Sequence, residues 1–295
     1  MKKFLSVLLA ALMVVTAVAS LSACGGKGEY VAVDATDLLK EDFGIGVKKG
    51  SPELLAAVNE VVDAWVEDGT MTKYVDYYTD LAEYAEGVEG ATAPEAGDLK
   101  LSWDFGAATE TITVYTESGF APFEFIYNGA VVGVDIAIMN EVAVNMGKKI
   151  EVKDIAFDTI PTAVKTDAGL AVAAAGMTIT EERAAEIDFS SIYYSSTLVV
   201  VSNAEKAYDS VADLAGLKVG VQEGTSGDLI ISAAKGEGHV YEDEDGNEVT
   251  VKIDASTKVT QYKQYALALA DLKAGRIDAI LMDKLPAQTM LSVAK

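Results

Sequence analysis

Gly176-Met177-Thr178-Ile179-Thr180-Glu181-Glu182-Arg183 is the stretch from which the rest of this chain can be read. It follows the apolar run Leu170 to Ala175, which has the length and composition of a buried strand. Thr180 stands where a helix N-cap belongs, and Glu181 and Glu182 fall in the first turn, where the helix dipole favours acids. A strand that ends in a small-residue loop and opens a helix presents free backbone N–H groups and the Thr178 hydroxyl; Arg183, one turn on, adds a forked cation. Such a set can clamp a carboxylate or a phosphate. An ordinary strand-to-helix connection with a surface arginine would carry the same letters, so the neighbouring segments have to decide.

On the N-terminal side lie Thr116-Glu117-Ser118-Gly119-Phe120-Ala121-Pro122-Phe123-Glu124-Phe125, Val132-Gly133-Val134-Asp135-Ile136 and Ala156-Phe157-Asp158-Thr159-Ile160-Pro161. On the C-terminal side come Ile187-Asp188-Phe189-Ser190-Ser191-Ile192-Tyr193-Tyr194, Val219-Gly220-Val221-Gln222-Glu223-Gly224-Thr225-Ser226 and Gly275-Arg276-Ile277-Asp278-Ala279-Ile280-Leu281-Met282-Asp283. Taken in order, these motifs resemble the polar amino-acid solute-binding proteins of ABC importers, the type 2 periplasmic binding proteins of bacterial family 3. The resemblance implies a two-lobed α/β fold that closes on a free amino acid.

Residues 30–84 are out of the expected order. Tyr30 to Val33 reads as a strand, and Phe43-Gly44-Ile45-Gly46-Val47-Lys48-Lys49-Gly50 as a second. Ser51 and Pro52 then open a helix whose apolar face is Leu54, Leu55, Val58, Val61, Val62 and Trp65, closed by Gly69. A shorter helix, Met71 to Leu81, follows. In the family this sequence of elements ends the protein; here it comes first. The chain therefore reads as a circular permutant, a rearrangement that compact domains tolerate when their termini lie close together at the surface. A separate small helical module, or a segment that completes a neighbouring molecule by swapping, are the rival readings. Permutation requires the Phe43–Val47 strand to join the sheet built from residues 111–175.

The partition this gives is a signal peptide (1–23), a lipidated start and a strand of lobe two (24–36), a crossing segment and part of lobe one (37–84), a linker joining the former termini (85–109), lobe one (110–196) and lobe two (197–295). Met1-Lys2-Lys3 followed by Phe4 to Val18 has the charged and apolar regions of a secretory signal, and Leu21-Ser22-Ala23-Cys24 resembles a bacterial lipobox. A retained membrane helix is the alternative, since the apolar run approaches the roughly 20 residues needed to span a bilayer. Cys24 is the one cysteine, so no intrachain disulfide can form. Removing residues 1–23 takes away Lys2 and Lys3 and leaves 21 basic against 46 acidic residues. That balance argues against nucleic acid and anionic lipid as partners.

The remaining elements alternate. Strands are expected at Ile112–Tyr115 and Lys149–Ile155, with a hairpin at Asn128-Gly129 that Ala130 could lengthen. Asp135 is expected to cap a helix running to Met146. Leu99 to Phe105 suits a short strand or a patch lying on a lobe. Thr197 to Ser202 is an extended run that by the resemblance crosses into the second lobe, with the return crossing around Asp37–Asp42; Ser210 to Leu214 reads as a short helix and Leu217 to Val221 as a strand, Thr225 opens a helix, and one long helix is expected from Gln261 to Ala274. Asp243-Glu244-Asp245-Gly246 invites a calcium loop, but Tyr241 and Lys252 stand at ligand positions, so an acidic surface turn is expected and no metal.

Ligands of open α/β sheets lie beyond the carboxyl ends of the strands. The candidates there are Glu117, Phe120, Phe157, Gly176, Thr178 and Arg183 on lobe one, and Thr225, Ser226 and Asp283 on lobe two. By the resemblance, Arg183 and Thr178, with N–H groups near Thr225 and Ser226, would hold the ligand's α-carboxylate. Asp283 would take its ammonium, and Phe120 and Phe157 would sandwich its aliphatic part. Glu117 stands where relatives preferring basic or amide side chains carry Asp, which favours a polar or cationic amino acid. Phe120 and Phe157 as plain core aromatics, and Thr225 and Ser226 as plain caps, remain open readings.

No catalytic residue and no cofactor are expected: the lone histidine, His239, lies beside the acidic hairpin, and no Ser/His/Asp set or metal cluster can be assembled. The expected protein is a monomer outside the cytoplasm, held on the outer face of the bacterial cell membrane by lipidated Cys24 and partnered by ABC permease subunits. A ligand-sensing module for a receptor and a dehydratase-like enzyme are the alternatives.

Overall fold

The structure is a computed structural model that describes residues 30–36, 38, 40–242 and 248–293. The leader, Cys24 and the Asp243–Gly246 turn lie outside the described residues. Among those described, no helix is long and apolar enough to cross a membrane.

Chain order begins with three short strands, β1 (Tyr30–Asp34), β2 (Glu41–Phe43) and β3 (Gly46–Val47), then helices α1 (Pro52–Glu67) and α2 (Thr70–Ala85). Next come β4 (Thr111–Thr116), β5 (Gly119–Phe120), β6 (Glu124–Tyr127), β7 (Ala130–Val132), α3 (Val134–Asn145), β8 (Lys149–Asp154), α4 (Ile160–Thr166), β9 (Leu170–Ala173) and α5 (Glu181–Glu186). The chain continues through β10 (Asp188–Phe189), β11 (Tyr194–Ser196), β12 (Leu198–Asn203), β13 (Lys218–Gln222), α6 (Ser226–Lys235), β14 (His239–Glu242) and β15 (Glu248–Val251). It closes with β16 (Lys258–Tyr262), α7 (Tyr265–Lys273), β17 (Ala279–Asp283) and α8 (Lys284–Val293).

Two five-stranded sheets make the two lobes. The first runs β10-β3-β9-β4-β8, with β4 parallel to both β8 and β9; the second runs β1-β12-β17-β13-β16, with β13 parallel to β16 and β17. Thus β3 lies in the sheet built from residues 111–173, and β1 pairs antiparallel with β12 on the edge of the other sheet. Between the lobes, β2 and β11 form a separate antiparallel pair, Glu41 opposite Ser196 and Phe43 opposite Tyr194. These are the two crossing strands; the run from Thr197, expected to cross, lies instead inside lobe two's sheet, where Leu198–Asn203 pairs with β1 and β17. The apolar run expected as one strand from Phe43 is split because Glu41–Phe43 bonds in the crossing and Gly46–Val47 bonds in lobe one. Phe43 is fully buried and pins the crossing to lobe one, its ring centroid 5.2 Å from that of Phe123.

α1 buries Leu54, Val58, Val61 and Val62 as its periodicity predicts, and packs with α2 against α3. α2 is as long as α1, running past Leu81 to Ala85, because Tyr74, Tyr78, Leu81 and Ala82 continue its buried face. Leu99, Leu101, Trp103 and Phe105 form no strand; they lie as a patch on lobe one, held where Tyr74 Oη donates to Lys100 O at 2.8 Å and Trp103 Nε1 to Glu141 at 2.8 Å. The Asn128-Gly129 turn is a two-residue one with both residues at positive φ, so Ala130 belongs to β7.

Three local expectations need correction. Ser51 occupies the N-cap of α1 but its side chain makes no capping bond. Asp135 does not cap α3: Gly133 does, and Asp135 sits buried in the first turn, accepting from Gly176 N at 2.9 Å. Gln261 does not begin a helix, because β16 bonds alongside β13 in parallel and α7 starts only at Tyr265.

Candidate functional site

The lobes are shut tightly, leaving about 10 Å³ of free space in a narrow slot lined by Glu117, Phe120, Glu124, Phe157, Ala175, Gly176, Thr178, Arg183, Gln222, Thr225, Ser226 and Asp283. All nine residues singled out from the sequence are there together. Glu124, Ala175 and Gln222 join them, and Glu41 stands behind Thr178 and Ser226.

Local sequence positions each group. Thr180 caps α5, its Oγ1 accepting from Arg183 N at 3.2 Å, which sets the arginine in the first turn and aims it at the lobe boundary. Gly176 has φ +52°, and a Cβ there would come within 2.5 Å of the Phe120 ring, so only glycine fits the floor of the slot. Thr225 caps α6, accepting from Asp228 N at 3.4 Å. Asp283 is the last residue of β17 and is 4% exposed.

Polar contacts tie one lobe to the other. Arg183 Nη1 donates to Thr178 O at 2.7 Å within lobe one, while Nη2 donates to Gly224 O of lobe two at 2.9 Å. Gln222 Nε2 and Gln264 Nε2, both of lobe two, donate to the two Glu117 oxygens at 2.9 and 2.7 Å. Lys263 pairs with Asp158 at 3.2 Å. The Glu41 carboxylate, on a crossing strand, accepts from Thr178 Oγ1 at 2.8 Å and also from Ser226 Oγ, one hydroxyl from each lobe. Phe157 does double duty, lining the slot while its ring centroid lies 5.3 Å from the Arg183 guanidinium carbon.

Electrostatically the slot is acidic. Burial pushes Glu117, Glu124, Asp283 and Glu41 above the usual carboxylate range; Asp135 and Glu117 add to the effect at Glu124, and Glu41 adds to it at Asp283. Burial lowers Arg183 from its ordinary value, against the opposing pull of Glu41 and Asp283. Both Glu124 carboxylate oxygens and Asp283 Oδ1 are buried without a hydrogen-bond partner. Among the described residues no group of His, Cys, Asp and Glu could hold a metal ion.

Glu41, Glu124 and Gln264 were missed from the sequence. Glu124 had a signal: it is the one acid between Phe123 and Phe125 and takes an inward position on β6. Glu41 had none, because its partners Thr178 and Ser226 are 137 and 185 residues away.

Two α/β lobes joined by paired crossing strands, with a polar slot between them, define a type 2 periplasmic-binding fold. The chain belongs to the bacterial extracellular solute-binding proteins, family 3, which match residues 112–280. It is 28% identical to the arginine-binding extracellular protein ArtP of Bacillus subtilis, over 59% of this chain and 61% of the relative. With the ABC transporter arginine-binding protein 1 of Escherichia coli it shares 30% identity over 63% of this chain and 68% of the relative. The chain thus spans about three fifths to two thirds of these relatives' length. Among solved structures, the arginine-bound form of truncated ArgBP from T. maritima matches with a TM-score of 0.52 and 31% identity over 62% of this chain and 77% of that one. The ancestral amino acid-binding protein AncCDT-1, a precursor of cyclohexadienyl dehydratase, matches at 28% identity with a TM-score of 0.51, over 62% and 74% of the two chains.

Proposed function

We propose that this chain is an extracytoplasmic solute-binding protein that captures an amino acid by lobe closure and delivers it to an ABC importer. The observation that supports this most is that Arg183 of lobe one and Asp283 of lobe two line one closed slot. A small molecule with both signs of charge could touch both, and its contacts would favour the shut state over the open one. Glu117 in the slot favours a cationic or amide side chain, in keeping with the arginine-binding relatives. The protein acts as a binder and not as an enzyme, as the curated relatives named here do.

The same proposal includes a leader removed before Cys24, a lipid on Cys24 as the membrane anchor, a monomeric state, and a permuted chain. Permutation draws support from β1 and β3, which precede the family-matching region in sequence yet bond into lobe two and lobe one respectively. With Tyr30 starting a strand of lobe two, the anchor would hang from that lobe.

Thermal unfolding of the purified protein against each of the twenty amino acids tests the reading. Arginine, lysine or histidine should raise the midpoint, since a ligand at a hundred times its Kd stabilises by about 2.7 kcal/mol. A midpoint unmoved by all twenty would contradict it.

A further inference from the structure

We propose that Glu124 selects a positively charged ligand by giving up its own proton to make room for the ligand's cation, so that each cationic amino acid captured sends about one proton into solution. The inference rests on the slot being the ligand site.

An inward position on β6 puts the Glu124 carboxyl in the wall of the slot, 0% exposed, with neither oxygen hydrogen-bonded. A buried carboxylate needs a cation or several N–H donors, and without them it keeps its proton. The surrounding elements offer neither. α3 contributes Asp135, whose Oδ2 already accepts from Gly176 N at 2.9 Å. Glu117, just after β4, and Asp154, at the end of β8, are two further acids that face it. Tyr193, just before β11, faces it with a phenol. β5 and β7 carry no titratable side chain, and α2 meets the other face of β6, where Tyr78 packs edge-on against Phe125. Arg183, the cation lining the slot, faces Glu41 and Asp283 instead. Burial first, and then these acids, hold the Glu124 carboxyl well above the usual carboxylate range.

The other two acids in the lining are better provided for. Glu117 has an amide donor on each oxygen, and Asp283 lies in the field of Arg183. Glu124 is the one whose ionisation waits for a ligand. An ammonium or guanidinium seated beside it supplies N–H donors and charge together. The carboxyl O–H bond then breaks: the proton goes to the buffer, the oxygen keeps the electron pair, and a carboxylate faces a cation. An amino acid with a neutral side chain brings no net charge and leaves the Glu124 proton in place.

Calorimetric titration of the full protein with arginine at about pH 6, repeated in phosphate, MES and Bis-Tris, counts the protons, because the measured heat varies with buffer ionisation enthalpy in proportion to the protons taken up. About one proton released per arginine in the wild type, and about none in Glu124→Gln, supports the inference. Arginine bound with no proton released overturns it and leaves the ligand site standing. Undiminished release in Glu124→Gln also overturns it, since another acid is then the source. Glutamine binding that releases as many protons as arginine counts against selection by charge. Should the variant fail to fold, wild-type affinity for arginine decides: a rise of about tenfold per pH unit between about pH 5 and 6 supports the inference, and a flat profile overturns it. If arginine, lysine and histidine all fail to bind, the ligand reading itself falls and the inference with it.

Discussion

The acids that line the slot are held in opposite circumstances. Glu117 has each oxygen capped by an amide N–H, from Gln222 and from Gln264 across the lobe boundary. Glu124 and Asp283, by contrast, have buried oxygens without a hydrogen-bond partner. Satisfied, a buried acid works as a clasp: the Glu117 bonds hold the shut state. Unsatisfied, it is a cost that a ligand can relieve. The difference implies that ligand binding is driven mainly by the unpartnered acids and tuned by Glu117.

The largest effect should come from removing an unpartnered acid. Asp283→Ala removes the acid proposed to take the ligand's amine and should weaken arginine binding by roughly a thousandfold or more in calorimetry, with the fold intact. Arg183→Ala should cost about a hundredfold, because the tie from Thr178 O to Gly224 O goes with it. Should both variants bind like the wild type, the slot has been misplaced. Glu124→Gln comes next. It keeps the shape, removes a buried charge that has no partner, and should weaken a cationic ligand about tenfold while raising the unfolding midpoint of the free protein. A lower midpoint would mean that Glu124 has a partner in the free state.

Much of this contrast was within reach of the sequence, and the reason is locality. Thr180 and Thr225 announce helix starts through bonds three residues long, and Asn128-Gly129 announces a turn by backbone preference alone. Those signals place Arg183, Ser226 and their loops without any knowledge of the rest. Asp283 was legible because an acid closing an apolar strand is hard to explain otherwise. The strand β16 was not, since Lys258-Val259-Thr260-Gln261-Tyr262 is mostly surface-facing and owes its extended state to pairing with β13 some forty residues earlier. Asp135 looked like a cap because it precedes an apolar helix; its real partner, Gly176 N, belongs to the other end of lobe one's sequence.

That misread residue gives the smallest effect on binding and a clean one on stability. Burial raises the Asp135 carboxyl from 3.8 to about 7. The folded chain therefore keeps a proton that the unfolded chain releases, and stability from this group is full below the unfolded value and lost as pH rises through about 7. Asp135→Asn, which can still accept from Gly176 N, should flatten the fall in unfolding free energy across that window, by up to about 4 kcal/mol in total. The burial-raised acids of the slot act with the same sign, so a cationic ligand, which favours their charged forms, should bind more tightly as pH rises. Affinity that falls over the same range would count against the contrast drawn between the partnered and unpartnered acids.

The most direct test is a crystal structure of the protein grown with arginine. The account predicts the lobes shut on a single arginine, with a ligand nitrogen in hydrogen-bond reach of Asp283 Oδ1 and the ligand touching Arg183 or Thr178 on the opposite lobe. Arginine seated outside the slot, or contacting one lobe only, would contradict it.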